Sequence, residues 1–221
     1  MEIILSAENI YKTYKAASGD VSALNGVSVD FEKGLFYAII GRSGSGKSTL
    51  LHILSGLDRP TGGTVTVNGR DLFSYSDEKM AVFRRRHMGF VFQQFNLLDD
   101  YTVMNNICMP LKLDGRKADQ QFLKEVTTLL GIADKLKKYP SELSGGEQQR
   151  VAIARSILAK PHLIFADEPT GNLDKKVGED TLKLLQSCAR RFGQTLIVVT
   201  HDLDIAKKAD QVIHIEDGKI L

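Results

Sequence analysis

The 221-residue sequence predicts an α/β fold with an inserted helical stretch, on three observations. Short apolar runs recur, each too brief for a helix and followed by helical patterning: Leu35 to Ile40, Leu163 to Ala166 and Leu196 to Val199. The first runs directly into a glycine-rich turn, Gly41-Arg-Ser-Gly-Ser-Gly46, and then into the helix-like stretch Lys47 to Ser55. Between Phe95 and Lys160 the pattern is helical, with no convincing strand. A single domain is expected, with residues 95–160 as a helical subdomain between core segments 1–94 and 161–221. Repeats, low-complexity tracts and Pro/Gly-rich linkers are lacking.

Further elements follow in chain order. Thr64 to Asn68 and Gly89 to Phe92 are weaker strand candidates. Phe122, Val126, Leu129 and Leu130 fall on one helical face, and Gly131 offers a stop. Val177, Thr181, Leu184, Leu185 and Cys188 form a similar stripe, which makes Cys188 a small buried hydrophobe. Gln211 to Ile215 and Lys219 to Leu221 flank Asp217-Gly218, a hairpin signal.

Composition narrows the function. Lys plus Arg number 29 against 27 Asp plus Glu, a net charge of +2, which gives no electrostatic case for a nucleic-acid partner. Hydrophobic residues at 43% and charged residues at 25% describe a folded globular domain. The longest apolar run is Leu35 to Ile40, far short of the roughly 20 residues of a membrane-spanning helix. The first residues lack a basic start and an apolar core, so no secretory leader is expected. With the sequence ending just after Asp217-Gly218, no regulatory extension is expected. Cys108 and Cys188 fit no metal or redox spacing and suit a reducing, cytoplasmic compartment. The run Arg84-Arg85-Arg86-His87 is expected to be a solvated face.

The glycine-rich turn satisfies G-x-x-x-x-G-K-[ST] at every fixed position and lies between a strand-like and a helix-like run, as a phosphate-binding loop requires. Gly41, Ser43, Gly44, Ser45 and Gly46 let backbone N–H groups turn inward around phosphates at a helix N-terminus, next to Thr49. Lys47 supplies a point charge at the β- and γ-phosphates, and the Ser48 hydroxyl is suited to ligate Mg²⁺. These features predict a P-loop NTPase. The guanine-reading [NT]-K-x-D motif is missing, which demotes a GTPase, and G-x-G-x-x-G fails after Gly46, which demotes dinucleotide binding.

Two carboxylates, Asp167 and Glu168, directly follow the run Leu163 to Ala166. Ligands of parallel sheets bind beyond the carboxyl ends of strands, so Asp167 is placed for the Mg²⁺ shell and Glu168 for polarising an attacking water. On its own such a pair merely opens a solvated loop; the phosphate loop gives it meaning. His201 follows Leu196 to Thr200 and is a candidate contact for the γ-phosphate or the water. No two histidines have metal-ligand spacing.

Leu143-Ser144-Gly145-Gly146-Glu147-Gln148-Gln149-Arg150 reads first as a capping box, Ser144 with Glu147, opening a helix whose apolar face is Val151, Ala154, Ile157 and Leu158. It also resembles the LSGGQ signature of ABC transporter ATP-binding subunits, and the remaining motifs follow in that family's order along essentially the whole chain. The resemblance implies a mainly parallel core sheet, an antiparallel β subdomain and the inserted helical subdomain. It assigns Tyr14 to stacking on adenine, Gln93 to Mg²⁺, the water and the membrane partner, Asp174 to the loop crossing between subunits, and His201 to the switch histidine. It implies ATP and Mg²⁺ as ligands, and a homodimer or heterodimer in which Ser144, Gly145, Gly146 and Glu147 of one subunit close over the nucleotide of the other. It further implies transmembrane permease subunits holding the chain at the inner face of the cell membrane, with an extracellular or periplasmic adaptor in some systems. Glu147 departs from the commoner glutamine but keeps the capping-box geometry. Phe90 to Leu98 and Asp167 to Asp174 resemble the branch serving macrolide and antimicrobial-peptide exporters and lipoprotein-releasing systems, which also holds a cell-division ATPase. The function implied is export or extraction. The alternatives are an ATPase regulating a cell-division or signalling membrane complex, and a soluble ABC ATPase.

Overall fold

The computed structural model describes residues 2–15 and 19–221. The chain forms two compact units, Met1–Arg84 with Ile197–Leu221, and Arg85–Leu196.

The first unit begins with an antiparallel sheet. Strand β1 (Ile3–Tyr14) pairs with β2 (Val21–Glu32) from Ile3 opposite Glu32 to Tyr14 opposite Val21, with several bulges. On its other edge β1 pairs with β4 (Gly62–Val67), and β4 with β5 (Arg70–Asp71), giving the order β2-β1-β4-β5. The core side of this sheet carries Leu5, Ile10, Leu24, Phe31 and Val65, all fully buried. Phe31 meets Tyr37 edge-on at 4.8 Å, and the Tyr37 hydroxyl accepts a hydrogen bond from the Glu32 N–H. Tyr37 lies on β3 (Phe36–Ile40), whose five residues are all buried. A strand buried on both faces reads as a continuous apolar run, which is why it was legible. Helix α1 (Lys47–Leu54) follows β3, and α2 (Asp77–His87) closes this stretch. Strand β9 (Gln211–Glu216) runs parallel to β3 with Ile39 opposite Ile213. The turn at Asp217-Gly218 then returns β10 (Lys219–Ile220) antiparallel to β9, the hairpin the sequence predicts.

In the second unit β6 (Met88–Phe92) and β7 (Leu163–Asp167) are parallel, with Met88 opposite Leu163 and Phe92 opposite Asp167. Between them come α3 (Val103–Leu113), α4 (Gln120–Leu129) and α5 (Gly145–Leu158). These are the inserted helices, and among the described residues no strand interrupts them. Helix α5 packs on α3, α4, β6 and α6 (Lys175–Arg191), and buries Val151, Ala152, Ile153 and Ala154 in succession. A helix surrounded on nearly all sides has no polar face at its middle. The chain then enters β8 (Thr195–Val199), fully buried, and a short helix α7 (Leu203–Ala206).

Two expectations need correction. The α6 face turns slightly: Leu182 is buried where Leu184 was expected, and Val177 is half-buried against Gly146. The arginine run is not simply solvated. Arg85 and Arg86 both donate to the carboxylate of Asp114, whose side chain is 2% exposed, and Arg116 lies 3.8 Å from it. Those charges hold the Asp114 carboxyl below the ordinary carboxylate range, the Arg85 hydrogen bond most of all. Cys108 and Cys188 are buried free thiols, and burial pushes Cys188 up to about 11.

Candidate functional site

The phosphate loop belongs to the first unit. Strand β3 ends at Ile40, and α1 starts at Lys47. Gly46 caps the helix with φ 103°, and a Cβ there would stand 2.5 Å from the Ala23 carbonyl oxygen on β2. Only glycine fits both the left-handed backbone and that approach. Lys47 is buried, with Nζ donating to the carbonyls of Gly41 at 3.0 Å and Arg42 at 2.8 Å. The lysine charge is thereby held inside the loop that the sequence assigns to phosphates. Ser43 and Gly44 are exposed at the loop tip, whereas Ser45 is buried and its Oγ has no hydrogen-bond partner among the described residues. The β9–β10 turn braces the loop from below: the Gly218 N–H donates to Ser45 O at 3.0 Å, and the Asn25 N–H donates to Gly218 O at 2.8 Å. Ser48 and Thr49 are half-buried in the first turn of α1.

Tyr14 closes β1 and is 41% exposed. Its hydroxyl donates to Asp58 Oδ2 at 2.8 Å, Lys12 Nζ donates to Asp58 Oδ1 at 2.7 Å, and the same ammonium lies 4.8 Å from the Tyr14 ring centre. Burial raises the Tyr14 phenol above its ordinary value and Asp58 adds to this, while a hydrogen bond with Thr49 opposes it. His201 is exposed after Thr200, whose N–H donates to Ile39 O on β3. A cavity of about 430 Å³ brings His201 together with Gly41, Arg42, His214 and Glu216.

The other candidates lie in the second unit. The register of β6 and β7, Phe92 opposite Asp167, carries Gln93 and Glu168 to adjacent strand ends. Asp167 is half-buried at the end of β7. Glu168 turns the chain with φ 44°, unusual for a non-glycine residue, and its carbonyl accepts from the Gly171 N–H at 3.0 Å. Gln93 and Asn172 are joined by two hydrogen bonds. Asp174 begins α6, its carbonyl accepting from Gly178.

The capping box at α5 is present in full. Ser144 Oγ accepts from the Glu147 N–H, and the Ser144 N–H donates to Glu147 Oε2 at 2.8 Å. That backbone hydrogen bond keeps the Glu147 carboxyl below its ordinary value, with Lys135 adding to the effect. Gly145 and Gly146 face Leu173 and Val177, so the helix start abuts the loop after β7 and the start of α6.

Gln149 and Asp58 were missed as site residues. Gln149 is fully buried, and its Nε2 donates to Phe92 O and Pro169 O. Gln149 stands between Gln148 and Arg150 in the sequence, so nothing local marks it as the buried one. Asp58 carried no periodic signal, because its partners are 44 and 46 residues away.

Comparison with known proteins agrees with these motifs. The family model described as ABC transporter matches residues 24–171. The bacitracin export ATP-binding protein BceA of Halalkalibacterium halodurans is 43% identical over 98% of this chain and 87% of its own length. The lipoprotein-releasing system ATP-binding protein LolD of Blochmanniella floridana is 43% identical over 98% of this chain and 93% of its own. The macrolide export ATP-binding/permease protein MacB of Syntrophobacter fumaroxidans is 42% identical, but the chain spans 31% of its length. Among solved structures, the dimeric post-hydrolysis state of the ATP-binding cassette MJ0796, bound to ADP and Pi, superposes with a TM-score of 0.88 at 37% identity, covering 98% of this chain and 96% of that one. The chain belongs to the ABC transporter ATP-binding family, the ATP-hydrolysing subunits of these systems, in the branch of BceA, LolD and MacB.

Proposed function

We propose that the chain hydrolyses ATP as a dimer and thereby drives export or extraction of a substrate through separate transmembrane subunits. The observation that carries the reading is the phosphate loop itself, with Lys47 drawn into it and Gly46 held against Ala23. Gly41, Ser43, Gly44, Ser45 and Gly46 cradle the phosphates, Lys47 neutralises the β- and γ-phosphates, and Thr49 and Tyr14 flank the nucleoside, with Tyr14 stacking on adenine. Glu168 polarises the attacking water, while Gln93 and His201 orient water and γ-phosphate. Ser144, Gly145, Gly146 and Glu147 close over the nucleotide of the second subunit, and Asp174 lies in the loop that crosses to it. The hydroxyl of Ser48, the carboxylate of Asp167 and the amide of Gln93 are oxygen donors, a set that fits Mg²⁺ better than a soft metal. Mg²⁺ held by these residues would supply positive charge to offset the charge that develops on the phosphates. Catalysis then rests on positioning and charge stabilisation.

Among the described residues no helix is long and apolar enough to cross a membrane. In this reading the membrane path belongs to a permease partner, which holds the chain at the inner face of the membrane; the named relatives favour a drug, antimicrobial-peptide or lipoprotein substrate, with an adaptor in some assemblies. The test is Glu168→Gln. It leaves ATP binding intact, lowers turnover by on the order of 10²–10⁴-fold and accumulates a nucleotide-bound dimer. Unchanged steady-state hydrolysis refutes the role given to Glu168. Co-purification of a permease supports the transport reading, and its replacement by cell-wall-regulating proteins overturns it.

A further inference from the structure

We propose that Gln149 is a positioning residue for hydrolysis, tying the placement of Gln93 and Glu168 to the signature helix of the same chain. This rests on the reading of Glu168 as the water-polarising group. Gln149 is fully buried, about 7.5 Å along α5 from Ser144 at 1.5 Å per residue. A side-chain amide has two N–H donors, and Nε2 uses them on two carbonyls of separate strand ends, Phe92 and Pro169. Phe92 immediately precedes Gln93, and Pro169 immediately follows Glu168. The two carbonyls thus bracket the catalytic pair, and the β6–β7 register places those strand ends side by side. Glu168 sits in a left-handed turn that strand pairing does not impose, closed locally by the Gly171 N–H on its carbonyl, and the anchor on the next residue's carbonyl ties that turn to α5. Helix α5 is rigidly packed and capped by Ser144 and Glu147, so a displacement of its N-terminus is carried through Gln149 to both strand ends. Gln149 touches neither nucleotide nor water in this scheme; it acts through Glu168 and Gln93.

The experiment is a double-mutant cycle in the full chain, read by ATPase kinetics and by equilibrium binding of a fluorescent ATP analogue. Gln149→Met keeps length and loses both donors. Gln149→Asn keeps an amide one methylene short of the two carbonyls. Each is expected to lower kcat about tenfold, in line with small misplacements of a reacting group, with KM and analogue affinity within about twofold of the parent. In the Glu168→Gln background the loss in single-turnover hydrolysis on adding either substitution is expected to fall well below tenfold, because the part that acts through Glu168 is already gone and residues acting as one unit are non-additive. The proposal is overturned if kcat stays at the parental value, if affinity falls as much as kcat, or if the full loss reappears in the Glu168→Gln background. Failure of Glu168→Gln alone to slow turnover sinks the underlying reading instead, and is seen separately in the same cycle.

Discussion

The Asn172 side-chain amide holds Gln93 at two points: Gln93 Nε2 donates to Asn172 Oδ1 at 3.2 Å, and Asn172 Nδ2 donates to the Gln93 main-chain carbonyl at 3.0 Å. The loop after β6 and the loop after β7 are thereby one unit at their tips. Gly171 contributes by lacking a side chain, since a Cβ there would meet Gln93 Nε2 at 2.8 Å. Both residues are exposed, so the pair contributes little to stability, about 1 kcal/mol at most. Its effect is expected in turnover. Asn172→Ala should leave the melting temperature within about 3 °C of the parent and lower kcat several-fold, measured by ATPase assay beside a thermal melt. A parental kcat would show that the Gln93 orientation does not depend on this contact.

The phosphate loop gives a sharper steric prediction. Gly46→Ala places a methyl 2.5 Å from the Ala23 carbonyl and 3.0 Å from Leu24 Cδ2, at a backbone angle that L-residues avoid. Gly44→Ala meets nothing within 4 Å and bears only the cost of its positive φ. The first should cost on the order of 1–3 kcal/mol and weaken ATP binding at least tenfold, and the second about 1 kcal/mol with binding retained. Equilibrium nucleotide binding and thermal melts of both variants check the difference; equal effects would remove the Ala23 contact as the cause.

Lys12, Asp58 and Tyr14 give a pH dependence. Burial alone would raise the Asp58 carboxyl, but hydrogen bonds from Lys12 and Tyr14, with the Lys12 charge, hold it below the ordinary carboxylate range. A depressed carboxylate stabilises the fold above its unfolded value, about 3.9, and that contribution is lost as pH falls through the folded value. Asp58→Asn should therefore melt about 2–4 °C below the parent at pH 7, a partly exposed pair contributing on the order of 1 kcal/mol. The gap should narrow as pH falls below about 4 and through the depressed folded value. A gap that does not narrow at all between pH 7 and pH 3 would mean that Asp58 acts by packing and not by charge.

How much of this was legible follows from the physics of each element. Strands β3, β7 and β8 are buried on both faces, so their apolar runs stood out. Strands β1 and β2 did not, because bulges break their alternation and Asn9 takes a positive φ within β1. The phosphate loop, the acid pair and the capping box are local in sequence, and local chemistry can be read directly. Gln149 and Asp58 act across 20 to 57 and 44 to 46 residues, and only the folded chain brings their partners to them. The arginine run was misread for the same reason: Asp114, which organises it, lies 28 and 29 residues downstream.

The departure at Glu147 from the family's usual glutamine can be judged from its contacts. Glu147 does two things: its Oε2 caps Ser144, accepting the Ser144 N–H at 2.8 Å and the Ser144 hydroxyl at 3.0 Å, and its Oε1 lies 3.6 Å from Lys135 Nζ. Glutamine keeps the first through its amide oxygen and gives up the second, a loose and partly exposed ion pair contributing at most a few tenths of a kcal/mol. Alanine gives up both and leaves the Ser144 N–H without its partner at the start of a helix whose first two residues are glycines. Glu147→Gln should thus match the parent in melting temperature and ATPase rate. Glu147→Ala should lose about 0.5–2 kcal/mol of stability and, on the proposal that this turn closes on the second subunit's nucleotide, lower the rate more than it lowers nucleotide affinity. If Glu147→Gln were as slow as Glu147→Ala, the carboxylate charge and not the helix cap would be what this position supplies.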